Sequence, residues 1–230
     1  MPCINVREGD GIVSVIALDD CGTPALGPNG LLCLSTISEI TFEDQIEEGD
    51  EVTEKNFGGR KQYSDAGLDE ITSISVGLTS LGIIPALDAA LLNSTSKLDG
   101  AGKVGGFGRN DLSAGHNLAI EVLMKLDTDA CSGSGQAPVA GWLFPLVKNW
   151  KPGGGTTLNG SDLVKPPYSG KGYQNPRIFG SGGNAAGPLS KWKNVHVAGT
   201  EWYTFYLFDG ASVTLPTASC DPVPLAAGAS

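Results

Sequence analysis

Histidine is nearly missing from this chain: two stand among 230 residues. The five cysteines, Cys3, Cys21, Cys33, Cys131 and Cys220, form no CxxC pair. A zinc site needs such ligands clustered, and nucleophilic catalysis needs a base beside a nucleophile on a strained turn. No GxSxG turn occurs. Basic residues are also few, with 15 Lys and Arg against 25 Asp and Glu, a net charge of −10 and a pI of about 4.6. Gripping nucleic acid requires cations for the phosphates, so this chain is not built to wrap it. No apolar run approaches the roughly 18 residues that span a bilayer. The opening residues, Met1 to Glu8, show no basic segment followed by an apolar one, so no signal peptide is expected. An odd cysteine count without metal spacing reads as reduced, small apolar side chains, in keeping with an intracellular folding compartment.

Glycine is plentiful, with 33 residues, and proline adds 14. A chain so often interrupted turns frequently, which favours short strands and long loops over helices. Its length suits one large domain, or one domain with sizeable insertions. Ile12 to Leu18 and Leu31 to Leu34 are apolar runs parted by a Gly/Pro-rich turn, read as an N-terminal strand or arm over 1–37. From Ile40 to Ile46 the residues alternate: Ile40, Phe42 and Ile46 share one face, broken by Asp44, and Thr41, Glu43, Gln45 and Glu47 share the other. Period-two alternation predicts a strand with one buried face. Glu48-Gly49-Asp50 is a turn signal, after which Glu51 to Phe57 is expected to return as the second strand of a hairpin. Eight acidic residues and no basic one lie between Glu39 and Glu54.

Asp69 to Leu81 predicts another strand, with Ile74, Val76 and Leu78 on one face. Pro85 to Leu92 is the good helix of the chain: proline suits the first position, Leu87, Ala90 and Leu91 line one side, and Asn93 can end it. Leu118 to Leu126 and Ala140 to Val147 read as strands, as do Val195 to Val197 and Trp202 to Phe208. Residues 97–115 and 150–187 read as Gly-rich insertions in loop form, and 218–230 as a flexible or disordered C-terminal arm. The expected fold is therefore mainly β, a sandwich or barrel-like domain over 38–217 with one short helix, a long hairpin and extended loops or arms.

Sites of chemistry are hard to find. His116 lies in a Gly-rich loop and His196 between two valines. Asp127-Thr128-Asp129 opens like a calcium loop but lacks its glycine and closing glutamate. Gly105-Gly106-Phe107-Gly108 and Gly153-Gly154-Gly155 lack the Lys-Ser or Lys-Thr of a phosphate loop. The carboxylates of Glu43 to Glu54 alternate along a strand as a solvated face does, unlike a glycosidase pair in an aromatic cleft. Trp142, Trp150, Trp192 and Trp202 could form a sugar platform, but such residues more often anchor cores and interfaces. No catalytic residue, metal ligand or cofactor site is assigned, and no enzyme activity is expected.

The stretch Glu39-Ile40-Thr41-Phe42-Glu43-Asp44-Gln45-Ile46-Glu47-Glu48-Gly49-Asp50, the bend at Gly58-Gly59-Arg60, the strand Asp69 to Leu81 and the helix Pro85-Ala86-Leu87-Asp88-Ala89-Ala90-Leu91-Leu92 follow one another in an order that resembles major tail proteins of siphophages infecting actinobacteria. Trp142-Leu143-Phe144-Pro145 and Cys220-Asp221-Pro222 are similar too, although the likeness is concentrated in 38–93. The resemblance implies a structural virion protein, a tail tube subunit that polymerises into stacked hexameric rings around the channel for DNA. Its implied partners are further copies of itself, a tape-measure protein, a tail terminator, baseplate or tip proteins, and DNA that passes without specific binding; no membrane is involved. Glu43, Gln45, Glu47, Glu51 and Thr53 would then face the lumen, where negative charge lets DNA slide. Asn56, Phe57, Gly58, Gly59 and Arg60 would lie at a subunit or ring interface, with the N-terminal residues, the loop 58–67 and the C-terminal arm touching neighbouring rings. The virion, assembled in the host cytoplasm, would be its place. Other virion β-proteins, a tail terminator or a capsid decoration protein, and a carbohydrate-binding β-sandwich remain as alternatives.

Overall fold

The structure, a computed structural model, describes residues 11–49, 52–55, 57, 61–65, 67–101, 104–108, 116–126, 137–154, 164–180, 185–197 and 199–227. The chain is mainly β and antiparallel. Its strands are β1 (Gly11–Ala17), β2 (Gly27–Leu34), β3 (Ile37–Glu47), β4 (Val52–Lys55), β5 (Lys61–Asp65) and β6 (Glu70–Ser80). Helix α1 (Pro85–Leu92) follows, then β7 (Thr95–Leu98), β8 (Val104–Gly108), β9 (Leu118–Lys125), β10 (Val139–Pro152) and β11 (Pro167–Gly172). A short 3-10 helix (Gly187–Trp192) precedes β12 (Thr204–Phe208) and β13 (Val223–Leu225).

One large sheet runs β13-β2-β1-β9-β10-β11-β6-β3, and it does not close into a barrel. Strand β10 is the fork. One edge pairs β9; the other pairs β12 through Val139–Leu143 and β11 through Val147–Pro152. The register slips between Phe144 and Val147, where Pro145, lacking a donor, fits a bulge rather than a regular ladder. Past the fork the limb β11-β6-β3 curls over the sheet, so Ile74, Val76, Leu78 and Tyr168 meet Val13, Val15, Leu32, Leu34, Ile120 and Phe144 in one core. Helix α1 caps this core with Leu87, Leu91 and Leu92. Asn93, at φ 51°, ends the helix in the left-handed region that asparagine tolerates. Asp88 is buried with them and accepts a hydrogen bond from the Tyr168 hydroxyl at 3.3 Å.

The opposite face of β1, β2, β9 and β10 is buried as well. Ile12, Ile16, Leu31, Cys33, Ala119, Leu123 and Leu143 pack there under Ile178, Phe179, Leu189, Trp192, Val213 and Leu225. The covering layer is almost free of strand, a run of turns around the 3-10 helix. Trp192 is fully buried and lies over β10 at Gly141, where an added Cβ would come within 3.0 Å of the indole and 2.7 Å of the Phe208 ring.

Several expectations are corrected here. Strands β7 and β8 pair where the Gly-rich stretch 97–115 reads as loop. Strand β10 continues to Pro152, and β11 lies inside the second expected loop; glycine serves the strand there, since a Cβ on Gly170 would strike Trp150 at 2.9 Å. Val195–Val197 is no strand: His196 follows the 3-10 helix in a turn, its backbone N–H bonded to the Trp192 carbonyl at 2.9 Å. The C-terminal stretch is not a free arm, because β13 pairs with β2 and Leu225 enters the core.

Candidate functional site

Strands β3 and β6 are eleven residues each and form the long hairpin of the molecule. The first half of β3 and the second half of β6 belong to the body: Ile40 pairs with Leu78 and Phe42 with Val76 over the core. The Phe42 ring lies 5.4 Å from Phe144 and 5.1 Å from Tyr203. Beyond Phe42 the side chains of β3 are exposed through Glu43, Asp44, Gln45, Ile46 and Glu47, while Ile74 and Ser73, opposite Asp44 and Gln45, stay buried. The hairpin leaves the body at its end, where Glu70, Ile71 and Thr72 are exposed as well. The pairing slips between Gln45 and Ile46, which sets Ile46 across from Ile71. Thr72 donates its hydroxyl to the Gln45 carbonyl at 3.2 Å, and the Asp69 carboxylate accepts from the Gly49 N–H at 3.2 Å.

The expected partner of the acidic strand was Glu51 to Phe57, and this is corrected. Strand β4 pairs with β5, and β3 pairs with β6. The apolar match accompanies this choice: β6 brings Leu78 to Ile40 and Val76 to Phe42, and offers Ser75 to Glu43 and Ser73 to Gln45, while Glu47 stands across from Glu70.

Among the residues expected at the lumen, Glu43, Gln45 and Glu47 share one exposed face of β3. Thr53 stands in β4 across from Ser64. Glu51 lies outside the described residues, as do Asn56, Gly58, Gly59 and Arg60 of the expected interface. Phe57 is exposed in the turn between β4 and β5.

A second exposed element was read as a strand, Trp202 to Phe208, but its free edge escaped the sequence reading. Strand β12 pairs with β10 alone among the described strands, leaving its outer edge unpaired. Phe205 and Tyr206 are each 45% exposed, and the Phe205 ring lies 4.8 Å from Trp142. The available signal was the run Thr204-Phe205-Tyr206-Leu207-Phe208, strongly β-prone and without charge.

Two buried polar clusters hold the covering layer. Glu121 of β9 is fully buried; it accepts the Trp192 indole N–H at 2.8 Å and pairs with the Lys191 ammonium, which also donates to the Pro188 carbonyl. His196 is buried against the edge of Phe179, with Nδ1 beside the Thr204 hydroxyl and 3.1 Å from Glu201, and its Nε2 has no hydrogen-bond partner among the described residues. Burial pushes its pKa below the usual histidine value, and the Glu201 carboxylate opposes that shift. Burial pushes the Cys33 thiol up. Among the described residues, no group of three or more His, Cys, Asp or Glu side chains is placed to hold a metal. A groove of about 540 Å³ opens between β3 and the β1-β9-β10 face. It is lined by Val13, Ile40, Phe42, Met124 and Trp142, with Glu39 as the one ionisable side chain.

No protein-family model matches the chain, and no curated protein matches it. Among solved structures the chain is similar to a chain of an extracellular contractile injection system, the PVC sheath–tube complex in its extended state, solved by cryo-electron microscopy. The two are 13% identical, the match covers 74% of this chain and 88% of the other, and the TM-score is 0.31. A likeness that distant assigns neither family nor function.

Proposed function

We propose that the chain is a structural subunit of a phage-type tail tube, whose projecting hairpins join around a channel that DNA traverses, and that it has no enzyme activity of its own. One observation carries this reading: the end of the β3–β6 hairpin leaves the subunit exposed, with Glu43, Gln45 and Glu47 along one face of β3, and with Asp44 and Ile46, the latter across from Ile71, on the other. A lone two-stranded ribbon is marginal in water. It becomes stable when neighbours pair with its edge and cover its apolar face. A ring of such hairpins turns Glu43, Gln45 and Glu47 to one side, and like charge keeps phosphates from sticking there. The tape-measure, terminator and baseplate contacts belong to the same reading. The sugar-binding alternative loses ground because Trp150 and Trp192 are core residues.

Negative-stain electron microscopy of the purified chain over a range of concentrations tests the reading. Rings or straight hollow tubes with a regular repeat are expected; monomers at every concentration count against it.

A further inference from the structure

Free sheet edges attract other strands, and among the described strands the large sheet has three. Strand β13, at one end of the sheet, has three residues and contains Pro224, which blunts it. Strand β3, at the other end, is long and carries Glu39, Glu43, Asp44 and Glu47. Strand β12 hangs off the fork, five residues long and uncharged.

Their chemistry decides which edges can meet. Two β3 edges would lay like charges opposite one another on both faces, since Glu43 and Glu47 point one way and Asp44 the other. Two β12 edges meet no such penalty but would form a closed two-fold pair, which ends growth after two subunits. An acidic edge beside an uncharged one avoids both outcomes. The five residues of β12 also match the exposed end of β3, Glu43–Glu47. The contact is head-to-tail, the type that closes rings or extends filaments.

Resting on the tail-tube reading, we infer that the β3 edge of one copy pairs with the β12 edge, Thr204–Phe208, of the next. Main-chain hydrogen bonds join the strands, and β12 contributes Phe205 to one face of the joint and Tyr206 to the other. Acidic side chains stand on both faces of β3, so a charge placed on either face of β12 meets them.

The sign of such a charge gives the test. Tyr206→Lys and Tyr206→Glu are compared with the unaltered chain for the threshold concentration of assembly, by sedimentation and negative stain. Circular dichroism checks that each monomer is folded. Expected is a threshold about two- to fivefold or more higher for Tyr206→Glu than for Tyr206→Lys, as one cross-strand charge pair contributes. Adding Glu43→Lys and Asp44→Lys together should invert that order. Equal effects of the two charges, an order that does not invert, or assembly indifferent to both overturn the pairing while leaving the tube reading intact. An unaltered chain that never assembles overturns the tube reading itself, and this pairing with it.

Discussion

Lys191 and Glu121 show what a buried charge asks of its neighbours. Glu121 lies on a face otherwise made of Ala119, Leu123 and Leu143, and its charge is met by the ammonium and an indole N–H. Such a pair contributes little net stability over an apolar filling, yet breaking it leaves a charge with nowhere to go. Lys191→Met alone should therefore cost about 3–5 kcal/mol in urea unfolding, and Lys191→Met with Glu121→Leu should recover most of it. His196 sets a second dependence, on pH. Its folded pKa lies below the ordinary 6.5, so the unfolded chain takes up the proton first. Stability is fully present above that ordinary value and is lost as pH falls through the lowered folded one. His196→Gln should flatten the fall in melting temperature on acidification below about pH 6.5. A fall of unchanged steepness would place the titrating group elsewhere.

At the scale of elements, the hairpin separates two jobs along one strand. Ile40 packs on the core and the half-exposed Phe42 lies against Phe144 at its rim; Glu43 to Glu47 are exposed. Reversing Glu43 and Glu47 to Lys touches no buried contact, and the proposed partner edge carries no charge. Tubes should still form, while DNA ejection slows or stalls on the cationic wall; ejection at the original rate would exclude these residues from the lumen. Alternation made this strand legible in the sequence, and proline with asparagine marked both ends of α1. The partner of β3 was not legible, because a turn signal at Glu48–Asp50 says that the chain bends and not which strand receives it. That choice went with the apolar match of Ile40 and Phe42 to Leu78 and Val76 of β6.

For the molecule as a whole, net charge and edge chemistry act together. A subunit of net charge −10 repels its copies at low salt. Added salt shortens the reach of that repulsion, so the concentration at which rings or tubes appear should fall as ionic strength rises. An assembly held by surface ion pairs alone would show the opposite trend. Two cores, one on each face of β1, β2, β9 and β10, give the subunit a rigid body from which the hairpin stands out.

The sequence by itself determined the local patterns. The β class, the helix and its ends, the inward row Leu118, Ile120, Val122 and Met124, and the acidic face of β3 all follow from periodicity and turn chemistry, which need only near neighbours along the chain. The tertiary structure alone decided what lies opposite what. The second face of β9 reads as Ala119, Glu121 and Leu123, too mixed to announce a core, and is buried because a strand-poor segment some seventy residues later brings Lys191 and Trp192 onto it. The bare edge of β12 likewise arises only at the fork in β10, where one strand pairs with two partners along a single edge. Such features depend on long-range pairing, to which a local pattern of residues carries no pointer.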